Sequence, residues 1–353
     1  MNTWARAALH PPRAHGAPLP QAQIKAAPED FHIEERLSFE PSGSGPHWLL
    51  RVEKRTANTR WVAAEIARVA QVPSSDVGYA GLKDRHAVAV QWFSVPDRGM
   101  SAQSWTEVRT AEFRVLEAHA NLRKLKIGAL AGNRFQIRLR NVLWSREQLE
   151  SKLEALRLHG VPNYFGPQRF GRGAYNLDRV AAWVQTGVAP RGRAERSFAL
   201  SAARALLFNA VLARRVEAGD WSQLAPGDLA SLDGSASHFI VAAVDDELQR
   251  RLGEFDIHPS GPLWGRGAPA SQGQALRHEL DAAREFSAVA DMLAAEGLRQ
   301  ERRALRCAVR DLSAQREANT LILNFSLGRG QFATAVLREI CEFDAVPELD
   351  ADD

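Results

Sequence analysis

A chain of 353 residues is long enough for two domains of ordinary size. With 45% apolar and 25% charged residues it has the composition of a globular protein with a substantial core, which excludes a disordered or fibrous chain. The net charge of +3 names no nucleic-acid partner by itself, but it hides an uneven distribution. Residues 121–140, NLRKLKIGALAGNRFQIRLR, hold six Lys/Arg and no acid, and residues 299–310, RQERRALRCAVR, hold five Arg and one Glu. The stretch after Cys341, EFDAVPELDADD, is acidic. Two cysteines, Cys307 and Cys341, are too few for a disulfide framework or a thiolate metal site. They read as small apolar residues in a reducing compartment, which points to a cytoplasmic protein. No apolar run approaches the length of a membrane span. The first 23 residues have no apolar signal core, and their prolines break any amphipathic helix; they read as a partly ordered lead-in.

In chain order, residues 24–40 (IKAAPEDFHIEERLSFE) read as strand, turn, strand, with Pro28 at the break. HWLLRVEKR alternates as a strand. Asn58 and Thr59 stand as caps before RWVAAEIARVAQV, which sets Val62, Ile66 and Val69 on one helical face. YAGLKD reads as a turn, AVAVQWFSV and FRVLEAHA as strands. In NRFQIRLR, Phe135, Ile137 and Leu139 share an apolar face, while Gln136, Arg138 and Arg140 share a cationic one. Ser145 caps a helix that Gly160 ends. Residues 161–176, VPNYFGPQRFGRGAYN, read as a Gly, aromatic and Arg loop, and residues 261–274 as another. SFALSAARALLFNAVLARRVEAG and FSAVADMLAAEGL are helical, TLILNFSL is a strand and FATAVLREICEF a helix. Strands and helices mix without a regular βαβ repeat, so the class is α+β. The last strand and helix would complete the first sheet, making the middle of the chain an inserted domain.

Asp84 is the pivotal residue. It lies in GLKDRH, between Lys83 and Arg85, beside a glycine and ahead of a strand. An exposed ion pair, worth about 0–1 kcal/mol, is one reading. The other is a carboxylate kept ionised by cations, as a nucleophile or general base requires. If residues 82–85 are extended, Lys83 and Arg85 point away from Asp84, and its pairing cation must come from elsewhere. His86 has no nearby Ser or Cys to activate. NYFGPQRFGRG offers stacking planes and phosphate contacts for unpaired bases, or else packs as a turn. It lacks the Gly-Lys-Ser/Thr ending of a P-loop.

Taken together and in order, KAAPEDFHIEE, NTRWVAAEIA, YAGLKDRHAVAVQWFSV, RKLKIGALAGNRFQIRLR, NYFGPQRFG, SAARALLFN and LILNFSLGRGQFATAVLRE resemble the TruD-type tRNA pseudouridine synthases. The resemblance implies an isomerase that detaches uracil from C1′ of a uridine, rotates it and rejoins it through C5, without cofactor or metal. It implies uridine-13 of tRNA as target, flipped into a basic cleft between two domains of a monomer, with no membrane. It implies an α+β pseudouridine synthase fold: a mixed, mostly antiparallel sheet with flanking helices and an inserted TruD-specific α/β domain. The corresponding boundaries are a lead-in at 1–23, a catalytic domain at 24–160 and 306–345, an insertion at 161–305 and an acidic tail at 346–353. The catalytic aspartate falls on Asp84, with Lys25 as the cation beside it and Lys83 near the substrate. Phe135 would stack on the flipped base, Asn133 would order the loop or the base, and Gln91, which matches a family position after the Asp, would join in binding the substrate. Phe165 and Arg169, in NYFGPQRFG, would line the cleft. One departure is that Ala89 and Val90 are apolar where the family carries polar residues. Two rivals to the isomerase are a non-catalytic RNA chaperone, which would not need Asp84, and a hydrolase releasing free uracil.

Overall fold

The computed structural model describes residues 3–343; the acidic tail expected at 346–353 lies outside them. The chain divides into two compact units. The sheet unit takes Leu19–Leu149, Val309–Gly330 and the residues from Cys341. The second unit takes the residues up to Pro18, Glu150–Ala308 and Gln331–Ile340.

In the sheet unit, an eight-stranded sheet is built around seven long strands: β1 (Phe31–Leu37), β2 (His47–Arg55), β3 (Val88–Pro96), β4 (Phe113–Asn121), β5 (Leu130–Leu139), β6 (Arg310–Glu317) and β7 (Thr320–Gly328). Their spatial order is β6-β7-β5-β1-β3-β2-β4, with the two-residue strand Gly78–Tyr79 on β3. All the pairs are antiparallel except β1 with β3. Two-residue alternation decides which side chains are buried. Phe31 and Ile33 of β1, Phe135, Ile137 and Leu139 of β5, and Leu321, Leu323, Phe325 and Leu327 of β7 are all buried. The register puts Phe135 opposite both Ile33 and Phe325. The helix Thr59–Ala70 buries Val62, Ala63, Ile66 and Ala67 with Leu50, Val52, Phe93 and Val95 of the sheet, and stops at Gln71 in the left-handed conformation. Asn58 holds the N-cap position, but its side chain makes no capping bond. The strand expected at residues 24–27, ahead of Pro28, does not form; a short strand before it, Leu19–Ala22, pairs in parallel with Cys341–Phe343.

The second unit is built on the helix Arg193–Ala218, whose residues Ala199, Ala203, Leu206, Leu207 and Ala210 are buried among the helices Tyr175–Thr186 and Ser287–Ala295. By length and composition this helix could cross a membrane, but 61% of its apolar window is buried inside the fold, as in a core helix. A four-stranded sheet runs in the order His238–Ile240, Leu229–Leu232, Ile257–Leu263, Glu301–Ala304. The strand Ile257–Leu263 takes the start of the segment expected as a loop, and an additional helix, Gly273–Glu285, follows. Residues 161–176 likewise contain a short helix, Pro167–Phe170, and a 3-10 turn.

The unit boundaries differ from the expected ones at both chain ends. The lead-in contains the helix Thr3–Leu9, which buries Ala5 and Ala8 in the core of the second unit. The terminal helix Ala333–Ile340 belongs there too, instead of completing the first sheet. The buried Glu339 carboxylate accepts the Ala14 and His15 backbone N–H groups at 2.9 and 3.2 Å, and Arg338 donates to Pro11 O at 2.6 Å. Such side-chain bonds between distant segments leave no periodic trace in sequence. Ser145 does cap the helix Arg146–His159, accepting the Gln148 N–H at 3.1 Å, and Gly160 ends it at φ +71°. A Cβ on Gly160 would lie 2.2 Å from Cys307 O. Gly160→Ala is therefore expected to destabilise the protein by about 1–3 kcal/mol, read as a lowered unfolding midpoint. Both cysteines are buried and unbridged, and burial pushes the Cys307 thiol up to about 12.

Candidate active site

Asp84 lies in the loop 80–87 that leads into β3. Its carboxylate is one-third exposed, and Lys25 Nζ lies 3.0 Å from Oδ2. The pairing cation thus comes from a segment 59 residues away and not from Lys83 or Arg85 beside it. Lys25 itself adopts φ +52°, a conformation costly for a side-chain-bearing residue, and its ammonium sits 4.4 Å from the centre of the Phe31 ring. A buried anchor fixes this segment. Asp30 accepts two bonds from Arg140, at 2.8 and 2.9 Å, and one from Ala27 N–H at 3.0 Å. Burial opposes ionisation of Asp30, but the Arg140 bond outweighs it with the help of the backbone and Arg138, so the carboxyl stays below its usual range. Arg140, and Arg138 at 3.6 Å from Glu317, are therefore occupied by acids. They do not form the free cationic face that alternation suggested.

Lys83 is turned to an acid of the sheet. It forms an ion pair with Glu35, both nearly inaccessible, and Glu35 Oε1 also accepts Trp92 N–H at 3.3 Å. Burial raises the Glu35 pKa, with Lys83 opposing. Gln91 is likewise fully buried: its amide donates to Gly81 O at 2.5 Å and accepts the Thr59 hydroxyl at 3.0 Å. Lys83 and Gln91, expected to bind substrate, are each held by protein partners beside the Asp84 loop. Asn133 differs. Its Oδ1 is buried and has no hydrogen-bond partner, so a donor brought by a substrate would satisfy it. Phe135 is 5% exposed, stacked on Phe325 at 5.3 Å and edge-on to Phe31 at 6.3 Å. It belongs to a packed aromatic wall, which an incoming base would have to uncover. Ala89 and Val90 are both buried in the sheet, so their apolar character removes no exposed polar contact.

Phe165 and Arg169 lie in the second unit. Asn209 holds the Phe165 backbone from both sides, accepting its N–H at 2.9 Å and donating to its carbonyl at 3.0 Å. Arg303 lies 4.2 Å and Arg169 5.2 Å from the centre of the Phe165 ring, and Arg169 donates to Ser201 Oγ at 2.9 Å. Among the described residues no group of three or more His, Cys, Asp and Glu is placed to hold a metal ion.

Sequence reasoning missed Phe31, Lys54, Thr59 and Glu35. The signal that could have found Glu35 and Lys54 is a polar residue in the buried register of a strand; Phe31 and Thr59 carry no such mark. Alternation puts Glu35 with Phe31 and Ile33, Lys54 with Leu50 and Val52, Gln91 with Phe93 and Val95, and Asn133 with Phe135 and Ile137. A buried polar side chain costs stability unless it is bonded, so such positions are where a site can be sought.

Residues 16–188 and 194–340 match the family described as tRNA pseudouridine synthase D (TruD). The chain belongs to the TruD family. It is therefore a tRNA pseudouridine synthase, an isomerase of uridine in tRNA. Among its relatives, the tRNA pseudouridine synthase D of Methylococcus capsulatus is 47% identical, over 94% of each chain. That of Nitrosococcus oceani is 46% identical, over 92% of this chain and 91% of its own. The crystal structure of the putative tRNA pseudouridine synthase D from Methanosarcina mazei shares the TruD fold with a TM-score of 0.74 at 20% identity, covering 95% of this chain and 96% of that one. The α+β expectation and the pseudouridine synthase fold are thus confirmed.

Proposed function

We propose that this TruD enzyme isomerises uridine-13 of tRNA and that Asp84 is the acting carboxylate. The observation that carries the reading is the Asp84–Lys25 pair: a partly exposed carboxylate 3.0 Å from an ammonium, at the head of a strand. The carboxylate anion is the form able to attack carbon or take a proton, and the ammonium lies against it. A uridine within folded tRNA must leave its stack before its glycosidic bond can be reached. In the reaction the C1′–N1 bond breaks and a C1′–C5 bond forms. The proton on C5 is lost and N1 carries one, so the mass is unchanged. Asn133 Oδ1 is the acceptor we assign to the uracil imide, and the wall of Phe31 and Phe135 the apolar side of its pocket. Phe165 and Arg169 we assign to RNA contact in the second unit.

tRNA transcribed with tritium at C5 of uridine tests this. Tritium should be released to water without free uracil, and a transcript carrying cytidine at position 13 should release none. Free uracil would make the enzyme a hydrolase. Release that persists with cytidine-13 would move the target.

A further inference from the structure

Three buried side chains hold the loop that carries Asp84 without touching its carboxylate. We propose that Lys54, Thr59 and Gln91 form a clamp of positioning residues that fixes the loop backbone and so aims Asp84 at the flipped uridine. The inference rests on Asp84 being the acting carboxylate. Gln91 Nε2 donates to Gly81 O at 2.5 Å. Thr59 Oγ1 accepts Lys83 N–H at 3.1 Å and donates to Gln91 Oε1 at 3.0 Å. Lys54 Nζ donates to Asp84 O at 2.9 Å and to Ala57 O at 2.7 Å. Backbone groups of residues 81, 83 and 84 are thus fixed from one side by groups that no solvent reaches: Lys54 and Gln91 are 0% exposed and Thr59 is 2%.

The choice of residues argues for aim over stability. Lys54 bonds two carbonyls, and no carboxylate lies within ion-pair distance of it among the described residues. The charges that act on it are the Asp84 carboxylate, which favours the ammonium, and Lys83, which opposes it; across the strands it faces Ala89 and Phe113. Burial dominates and lowers its pKa to about 8. An ammonium sealed in a sheet without an acid is a poor stabiliser, and an apolar chain of similar length would fill the same space at less cost. Such a group is retained where a functional position demands it. Displacing a catalytic group by about 1 Å costs about 100-fold in rate, so a hydrogen-bonded seat for residues 81–84 has a direct consequence for turnover.

The test compares Thr59→Val, Thr59→Ser, Lys54→Met and Asp84→Asn with wild type, measuring single-turnover pseudouridine formation, tRNA affinity and unfolding midpoint. Thr59→Val and Lys54→Met should turn over about 10–100-fold more slowly. Their tRNA affinity should stay within about threefold of wild type and their unfolding midpoints should not fall in step with the rate. Thr59→Ser, which keeps the hydroxyl, should recover most of the rate. A wild-type rate in Thr59→Val, or a rate loss that tracks lost affinity or stability, would overturn the clamp. A Lys54→Met protein that does not fold would make Lys54 structural and remove it from the clamp, with Thr59→Val deciding for the rest. Full activity in Asp84→Asn would sink the underlying reading instead.

Discussion

Asp84→Asn should slow pseudouridine formation by about 10⁴-fold or more while leaving tRNA affinity within about threefold. The substitution is nearly isosteric and removes the charge that Lys25 faces at 3.0 Å. The amide can neither attack carbon nor take a proton at neutral pH. Affinity should survive because phosphate contacts rest on cations, and only one carboxylate has changed. The rate is read in a single turnover and the affinity by filter binding. A variant that keeps its full rate removes Asp84 from the chemistry. One that loses rate and affinity together makes Asp84 a binding group.

The second large effect lies one residue away. Lys83→Met should destabilise the protein by about 3–5 kcal/mol, because it strands the buried Glu35 without its cation. The loss should depend on pH with a definite sign. Burial already raises the folded-state pKa of Glu35 above 4.5, and Lys83 is what opposes that rise. Without Lys83 the folded protein holds the Glu35 proton at pH values where the unfolded chain has released it. Stability then falls as pH rises above about 4.5. Urea unfolding should place the variant nearest to wild type at about pH 5 and furthest at about pH 8. An equal gap at both would mean that Glu35 does not carry the effect. Adding Glu35→Leu should restore much of the lost stability, since the uncompensated charge is then gone.

How far the sequence could be read depended on the range of the interaction. Alternation in NRFQIRLR sorted Phe135, Ile137 and Leu139 to the buried side of β5, because strand pleating is a local property. An extended backbone around Asp84 would ask for a cation from elsewhere, and Lys25 is the one found there. What stayed illegible was set by contacts distant in sequence. Nothing local tells that Arg140 is bound by Asp30, so alternation showed it only as part of a cationic face. Nothing local tells that Gln91 reaches Thr59 and Gly81, so it looked available to substrate. Nothing local tells what the terminal helix packs on: its buried Glu339 binds backbone at residues 14 and 15. Yet the site left one local trace. Glu35, Lys54, Gln91 and Asn133 each interrupt the apolar register of a strand, and all four gather around the Asp84 loop or the face beside it.

Pseudouridine mapped by carbodiimide labelling and primer extension, on unmodified tRNA transcripts treated with wild type or Asp84→Asn, tests the central claim most directly. A single new stop at uridine-13 with wild type, absent with Asp84→Asn, is the predicted result. The same stop with Asp84→Asn, or no stop on any transcript that the wild type binds tightly, would contradict it.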